Sequence, residues 1–237
     1  MDQSSLALIL TAASIGFIHT ILGPDHYIPF IAMSKAGNWS KKKTIWITTI
    51  AGIGHVLSSV VLGIIGIALG IALSSLEFIE SFRGDLAGWL LITFGLLYFV
   101  WGIRHIFKSR HHSHAHFHED GTLHTHSHNH SENHAHVHDS KKVNSITPWI
   151  IFTIFLFGPC EPLIPLLMFP AINHSVLTLA FVSVTFSIAT IGTMLVVVTG
   201  SLYGLKIFSL EGAAKYSHAV AGGLILLCGI SIKFLGL

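Results

Sequence analysis

Six apolar stretches take up most of this chain, at about 6–36, 44–73, 86–107, 146–171, 175–202 and 213–234. Each reaches or exceeds the roughly 20 residues that an α-helix needs to cross the hydrocarbon core. Only 10% of the 237 residues are charged, against about 25% in a soluble domain, and mean hydropathy is +0.70. So few charges cannot coat a soluble particle of this size. The expected fold is therefore all-α and polytopic, with six transmembrane helices in two inverted three-helix repeats. The first stretch begins at Leu6 behind Asp2, with no basic segment before it, and is expected to stay as a first span rather than to be cleaved.

Two of the six stretches are too rich in proline to be single helices. Gly23-Pro24-Asp25-His26 and Pro29 fall in the first, and Gly158-Pro159-Cys160-Glu161, Pro162, Pro165 and Pro170 in the fourth. Proline removes a backbone donor and clashes with the preceding turn. A broken or re-entrant helix is predicted at both places, tolerated where protein or a polar cavity surrounds it. Asp25 and Glu161 are the carboxylates expected inside apolar spans, where a charge is costly and usually functional. Ser74 to Asp85, with Glu77, Glu80, Arg83 and Asp85, reads as an interfacial loop or short amphipathic helix.

Residues 108–145 have a different composition. Twelve of the 18 histidines lie between His111 and His138, many at alternating positions. The tract has no core-forming pattern and suggests metal capture by imidazole. The chain thus divides into a first three-helix repeat (1–107), a disordered His-rich cytoplasmic loop (108–145) and a second three-helix repeat (146–237). The repeat rests on matched breaks, on Ile53-Gly54-His55 against Ile191-Gly192-Thr193, and on Gly95 and Gly102 against Gly222 and Gly229. With six spans, 11 Lys and Arg fall on the side of the His-rich loop and two on the other. The positive-inside rule then puts that loop in the cytoplasm of an inner or plasma membrane and both termini outside. Three spans per repeat make the halves inverted copies, with a site where they meet.

The candidate ligands are His19, Asp25, His26 and His55 from the first half, and Glu161 and Cys160 from the second. Imidazole with carboxylate suits borderline divalent metals better than Mg²⁺ or Ca²⁺. His19 and His26 are seven apart, on one face of a continuous helix, and the break could bring them closer. No catalytic constellation and no tightly bound cofactor are expected, and the chain is not expected to be an enzyme. No Gly-rich phosphate loop is present, so energy would come from a proton or other ion gradient or from a partner subunit.

His19 to His26 resembles a variant of the signature of nickel/cobalt transporters, a histidine followed after a short spacer by Asp-His. Gly54-His55-Val56-Leu57-Ser58 resembles their Gly-His-Ser/Thr element, and the His-rich tract is similar to that of the efflux branch. The layout also resembles the urease-accessory-type membrane domain of the lysine-exporter-like superfamily, which implies two inverted three-helix repeats. The motifs cover only residues 16–30 and 52–60, and Pro24 and the spacer before Asp25 depart from the uptake pattern. The resemblance implies a secondary transporter of Ni²⁺, Co²⁺ or a similar divalent transition metal as substrate, with export favoured. The implied partners are the metal ion and the lipid bilayer, without nucleic acid, and a homo-oligomer is left open. Two alternatives stand beside it. One is a membrane metal-delivery or assembly protein without translocation. The other is a thiol-disulfide electron-transfer membrane protein, for which Gly158-Pro159-Cys160 fits but Asp25 stands at the first-half cysteine position and Cys228 is no obvious partner thiol.

Overall fold

A computed structural model describes residues 3–108, 113–117, 123–127, 140–172, 176–207 and 214–235. Eight helices are described: α1 (Gln3–Leu22), α2 (Ile28–Ala36), α3 (Lys41–Ala68), α4 (Leu73–Lys108), α5 (Ser140–Phe157), α6 (Leu163–Ile172), α7 (Val176–Ile207) and α8 (Ser217–Leu235). Five of them, α1, α3, α4, α7 and α8, are long and apolar enough to cross a membrane. Large apolar side chains such as Trp46, Leu57, Leu69 and Val196 stand on the outer surface, as a lipid-facing belt requires. The chain is an all-α, multi-pass membrane protein.

Both predicted breaks are present. A 3-10 turn at Pro24–His26 separates α1 from α2, and residues 158–162 separate α5 from α6. The short helices α2 and α6 are deeply enclosed, and each sits in its own apolar core. Phe30 and Met33 of α2 pack with Phe155, Met194, Val198 and Ile225. Leu163 and Leu167 of α6 pack with Ala12, Val56, Val182 and Phe186. Long helices surround these pieces because exposed helix ends in hydrocarbon would leave backbone groups unpaired.

Local chemistry sets the other boundaries. Ser40 caps α3, its Oγ accepting from the Lys43 amide at 3.2 Å. The end of α3 is turned by Gly70 at φ +66, with the Ile71 amide donating to the Gly66 carbonyl at 2.9 Å, a left-handed stop that glycine adopts without a Cβ penalty. Helix α1 packs on α7, α3 on α5 and α7, and α4 on α8 over its length. The α4–α8 contact is close because glycines line it. A methyl on Gly222 would meet the backbone of Phe99, and one on Gly102 the backbone of Ala219.

Two expectations fail here. Residues 74–85 are helical, but they form neither an interfacial loop nor a separate short helix: they are the first turns of α4, which runs unbroken from Leu73. Glu80 in that segment is fully buried, so Asp25 and Glu161 are not the only carboxylates inside the apolar spans. The reason is packing: Glu80 lies one turn from Gly84, which lets α4 approach the second break, with Pro159 Cγ 2.8 Å from where a Cβ would stand. Within the His-rich segment, strands β1 (Ser113–Phe117) and β2 (Leu123–Ser127) pair antiparallel, with His116 opposite His124. The remaining residues of 109–139, and the disorder and metal capture expected of them, lie outside the described residues.

Candidate functional site

The first break folds on its own side chains. The Gly23 amide donates to His19 O at 2.9 Å and the His26 amide to Gly23 O at 3.1 Å. His26 Nδ1 lies 3.0 Å from Asp25 Oδ1 and 3.2 Å from Gly23 O. This turn decides where His26 points. Seven residues along an unbroken helix rise about 10 Å, whereas the His19 and His26 ring centroids are 4.8 Å apart. The break thus draws the two imidazoles together.

His55 reaches the same point from α3. Its ring lies 5.1 Å from that of His26 and stacks on Phe155 at 4.5 Å. Its Nδ1 pairs with the Phe155 carbonyl at 3.2 Å, which ties the two halves of the chain together. Among the described residues, the Nε2 atoms of His19, His26 and His55 are buried without a hydrogen-bond partner. One ring nitrogen from each of the three lies within 4.8 Å of the others. Metal–nitrogen bonds of about 2.0–2.1 Å bring tetrahedral donors to roughly 3.4 Å of one another. These three could hold an ion after closing by up to about 1.4 Å.

The two second-half candidates are placed differently from each other. Glu161 is exposed and lines a cavity of about 520 Å³ together with His19, Asp25, His26 and Pro159. At the edge of that cavity Lys233 of α8 pairs with Asp85 of α4. Cys160 is fully buried in the core around α6 and is not among the residues lining the cavity. The ligand atoms that come together are those of His19, His26 and His55, and Cys160 is not among them.

Sequence reasoning missed the groups that hold the second break. Arg83 and Glu80 form an ion pair, and Glu80 Oε2 accepts from the Cys160 amide at 3.0 Å and from Ser59 Oγ at 3.1 Å. Arg83 donates to Ser58 Oγ at 2.6 Å, to Leu156 O at 3.1 Å and to Gly158 O at 3.4 Å. The only signals in the chain were the i, i+3 spacing of Glu80 and Arg83 and the serine pair one helix earlier.

No curated protein and no solved structure matches the chain. A family model, the cytochrome C biogenesis protein transmembrane region, matches residues 28–231. This overturns the nickel/cobalt resemblance, and with it divalent-metal export and the metal ion as substrate and partner. The misleading motifs were short. His19, Asp25 and His26 stand before the matched region, whereas the match takes in Gly158-Pro159-Cys160 and both cysteines. A match over most of the length outweighs two motifs of a few residues each, and the chain belongs to the cytochrome C biogenesis transmembrane region family.

Proposed function

We propose that this chain carries reducing equivalents through the membrane by thiol-disulfide exchange at Cys160, in support of cytochrome c biogenesis. The observation that carries the reading is the placement of Cys160 in the turn between two half-helices, within the region matched by the family. A cysteine in such a turn moves between environments when the turn moves, as a relay between two sides requires.

The exchange balances with the two cysteines of the chain, both free. The Cys160 thiolate attacks one sulfur of an incoming disulfide, forming a mixed disulfide and releasing one thiolate. Cys228 on α8 then attacks the Cys160 sulfur, releasing the second thiol and leaving a Cys160–Cys228 disulfide. Two electrons and two protons leave the chain's dithiol for the partner's. Asp25 of the first break lines one cavity with Pro159 and Glu161, the neighbours of Cys160, and with Ile232 of α8, one turn from Cys228. His19, His26 and Asp25 line the cavity and are the groups placed to exchange the released protons. The chain works as a relay rather than as an enzyme with a small-molecule substrate.

The layout proposed with this function is six crossings in two inverted repeats, α5 and α6 together making the fourth. The pairing of helices supports it. Exchanging the halves turns the α1–α7 contact into that of α5 with α3 and leaves α4–α8 unchanged. The membrane is proposed to be the inner membrane, with the His-rich loop cytoplasmic.

The test is acid trapping and alkylation of the chain in growing cells. Cys228→Ser should accumulate a mixed disulfide at Cys160 that dithiothreitol cleaves, and Cys160→Ser should abolish both that species and support of c-type cytochromes. Normal cytochrome levels in Cys160→Ser would end the proposal.

A further inference from the structure

We infer that Glu80 and Arg83 are the positioning pair for Cys160: they hold the second break shut, and their release is what presents the thiol to the cavity. The inference rests on the thiol-relay reading for its purpose, but on the geometry alone for its mechanism. The two breaks are satisfied in different ways. In the first, His26 and Asp25 bond within the turn. In the second, backbone groups of the turn bond to side chains of another helix.

The chemistry of that difference is specific. A helix leaves its last carbonyls unpaired and the next helix its first amides. Arg83 takes the Leu156 and Gly158 carbonyls at the end of α5, and Glu80 takes the Cys160 amide ahead of α6. A cation thus meets one helix C-terminus and an anion approaches the next N-terminus, each favoured by the helix dipole. Ser58 and Ser59 from α3 fill further sites on the two charges. This network thus holds the Leu156 and Gly158 carbonyls and the Cys160 amide, and His55 holds the Phe155 carbonyl just before them.

Gly84 completes the device. It lets Pro159 sit against α4, one turn beyond Glu80, so the turn docks on one face of one helix. In this arrangement the thiol points into the core around α6, away from the cavity lined by the neighbouring Pro159 and Glu161. A shift of the turn by one residue's length would exchange these positions.

The experiment uses the full chain in lipid nanodiscs, with N-ethylmaleimide as the probe and peptide mass spectrometry to score each cysteine. Cys228 lies outside the network and serves as the internal control. Loss of one partner of a buried ion pair destabilises the closed turn, so Glu80→Gln should raise the Cys160 labelling rate at least roughly tenfold while Cys228 stays within about twofold. Arg83→Lys keeps the charge but loses the fork, and should give a smaller rise at Cys160 alone; it decides the matter if Glu80→Gln does not accumulate. A parallel rise at both cysteines, or no rise at Cys160, overturns the inference. Labelling needs no electron transfer, so a relay that fails in cells and a latch that fails in nanodiscs are separate results.

Discussion

Glu80 is a carboxylate with no access to solvent, and its survival there depends on complete pairing. Its two oxygens meet Arg83, Ser59 and the Cys160 amide. Removing one member of a buried pair costs about 3–5 kcal/mol, because the other is left unpaired, whereas removing both is far milder. Arg83→Gln alone should therefore lower the unfolding midpoint in detergent more than the Glu80→Gln, Arg83→Gln double variant does. A double variant less stable than the single would mean that the charges are not coupled. His55 gives a second case on the same scale. Replacing it with Leu removes a hydrogen bond worth about 1 kcal/mol and a ring stack of similar worth. Thermal unfolding should show a loss of roughly 1–3 kcal/mol from those two contacts, with Phe155 O losing its partner.

These residues also mark what the chain disclosed before its fold was known. The imidazoles were legible because His19 and His26 flank a Gly-Pro break, and polar rings in apolar spans stand out. Glu80 was not, because Glu77, Arg83 and Asp85 around it gave the segment the composition of an interface. Burial is decided there by a glycine and a proline from distant parts of the chain, and neither periodicity nor charge count carries that contact. The use of the imidazoles was misjudged for a related reason: a short ligand-like motif reports which groups are close, not what passes through them.

At the scale of elements, the long α4–α8 contact depends on four glycines in matched positions, Gly95, Gly102, Gly222 and Gly229. Lipid offers no hydrophobic drive between helices, so close backbone approach supplies the attraction. A methyl at Gly95 would strike the backbone of Leu226, and one at Gly222 that of Phe99. By contrast Gly192 and Gly200 of α7 have nothing within 4 Å of a new Cβ. Gly222→Ala should therefore destabilise by about 1–3 kcal/mol through overpacking. Gly192→Ala should be neutral or gain up to about 1 kcal/mol from helix propensity. Unfolding midpoints of the two variants in one detergent make the comparison, and equal shifts would place the tight seam elsewhere. The glycine spacing was visible in the sequence as a repeat; that the two spaced pairs pack against each other needed the structure.

For the whole molecule the open quantity is the number of crossings, and it turns on the fourth stretch. The apolar part of α5, Ile146–Phe157, extends about 18 Å at 1.5 Å per residue, short of the roughly 30 Å hydrocarbon core. Helix α6 adds ten residues after the break, about 15 Å more. End to end the two pieces cross; folded back on each other they re-enter and leave on the side they came from. The two cases differ in everything that follows them. With a crossing, the 203–212 region returns to the side of the His-rich loop, and Lys and Arg divide 11 to two across the membrane. With re-entry, Lys206 and Lys215 move to the opposite side and Lys233 to that of the His-rich loop, leaving 10 to three; the halves no longer mirror each other, and the two breaks cannot face one cavity from opposite directions. The charge count and the shared cavity both favour crossing. Reporter fusions made after Asn144 and after His174 should therefore report opposite sides, with a fluorescent protein active at the first and alkaline phosphatase at the second. The same reporter active at both sites would mean a re-entrant fourth segment and would remove the inverted repeat on which a two-sided relay depends.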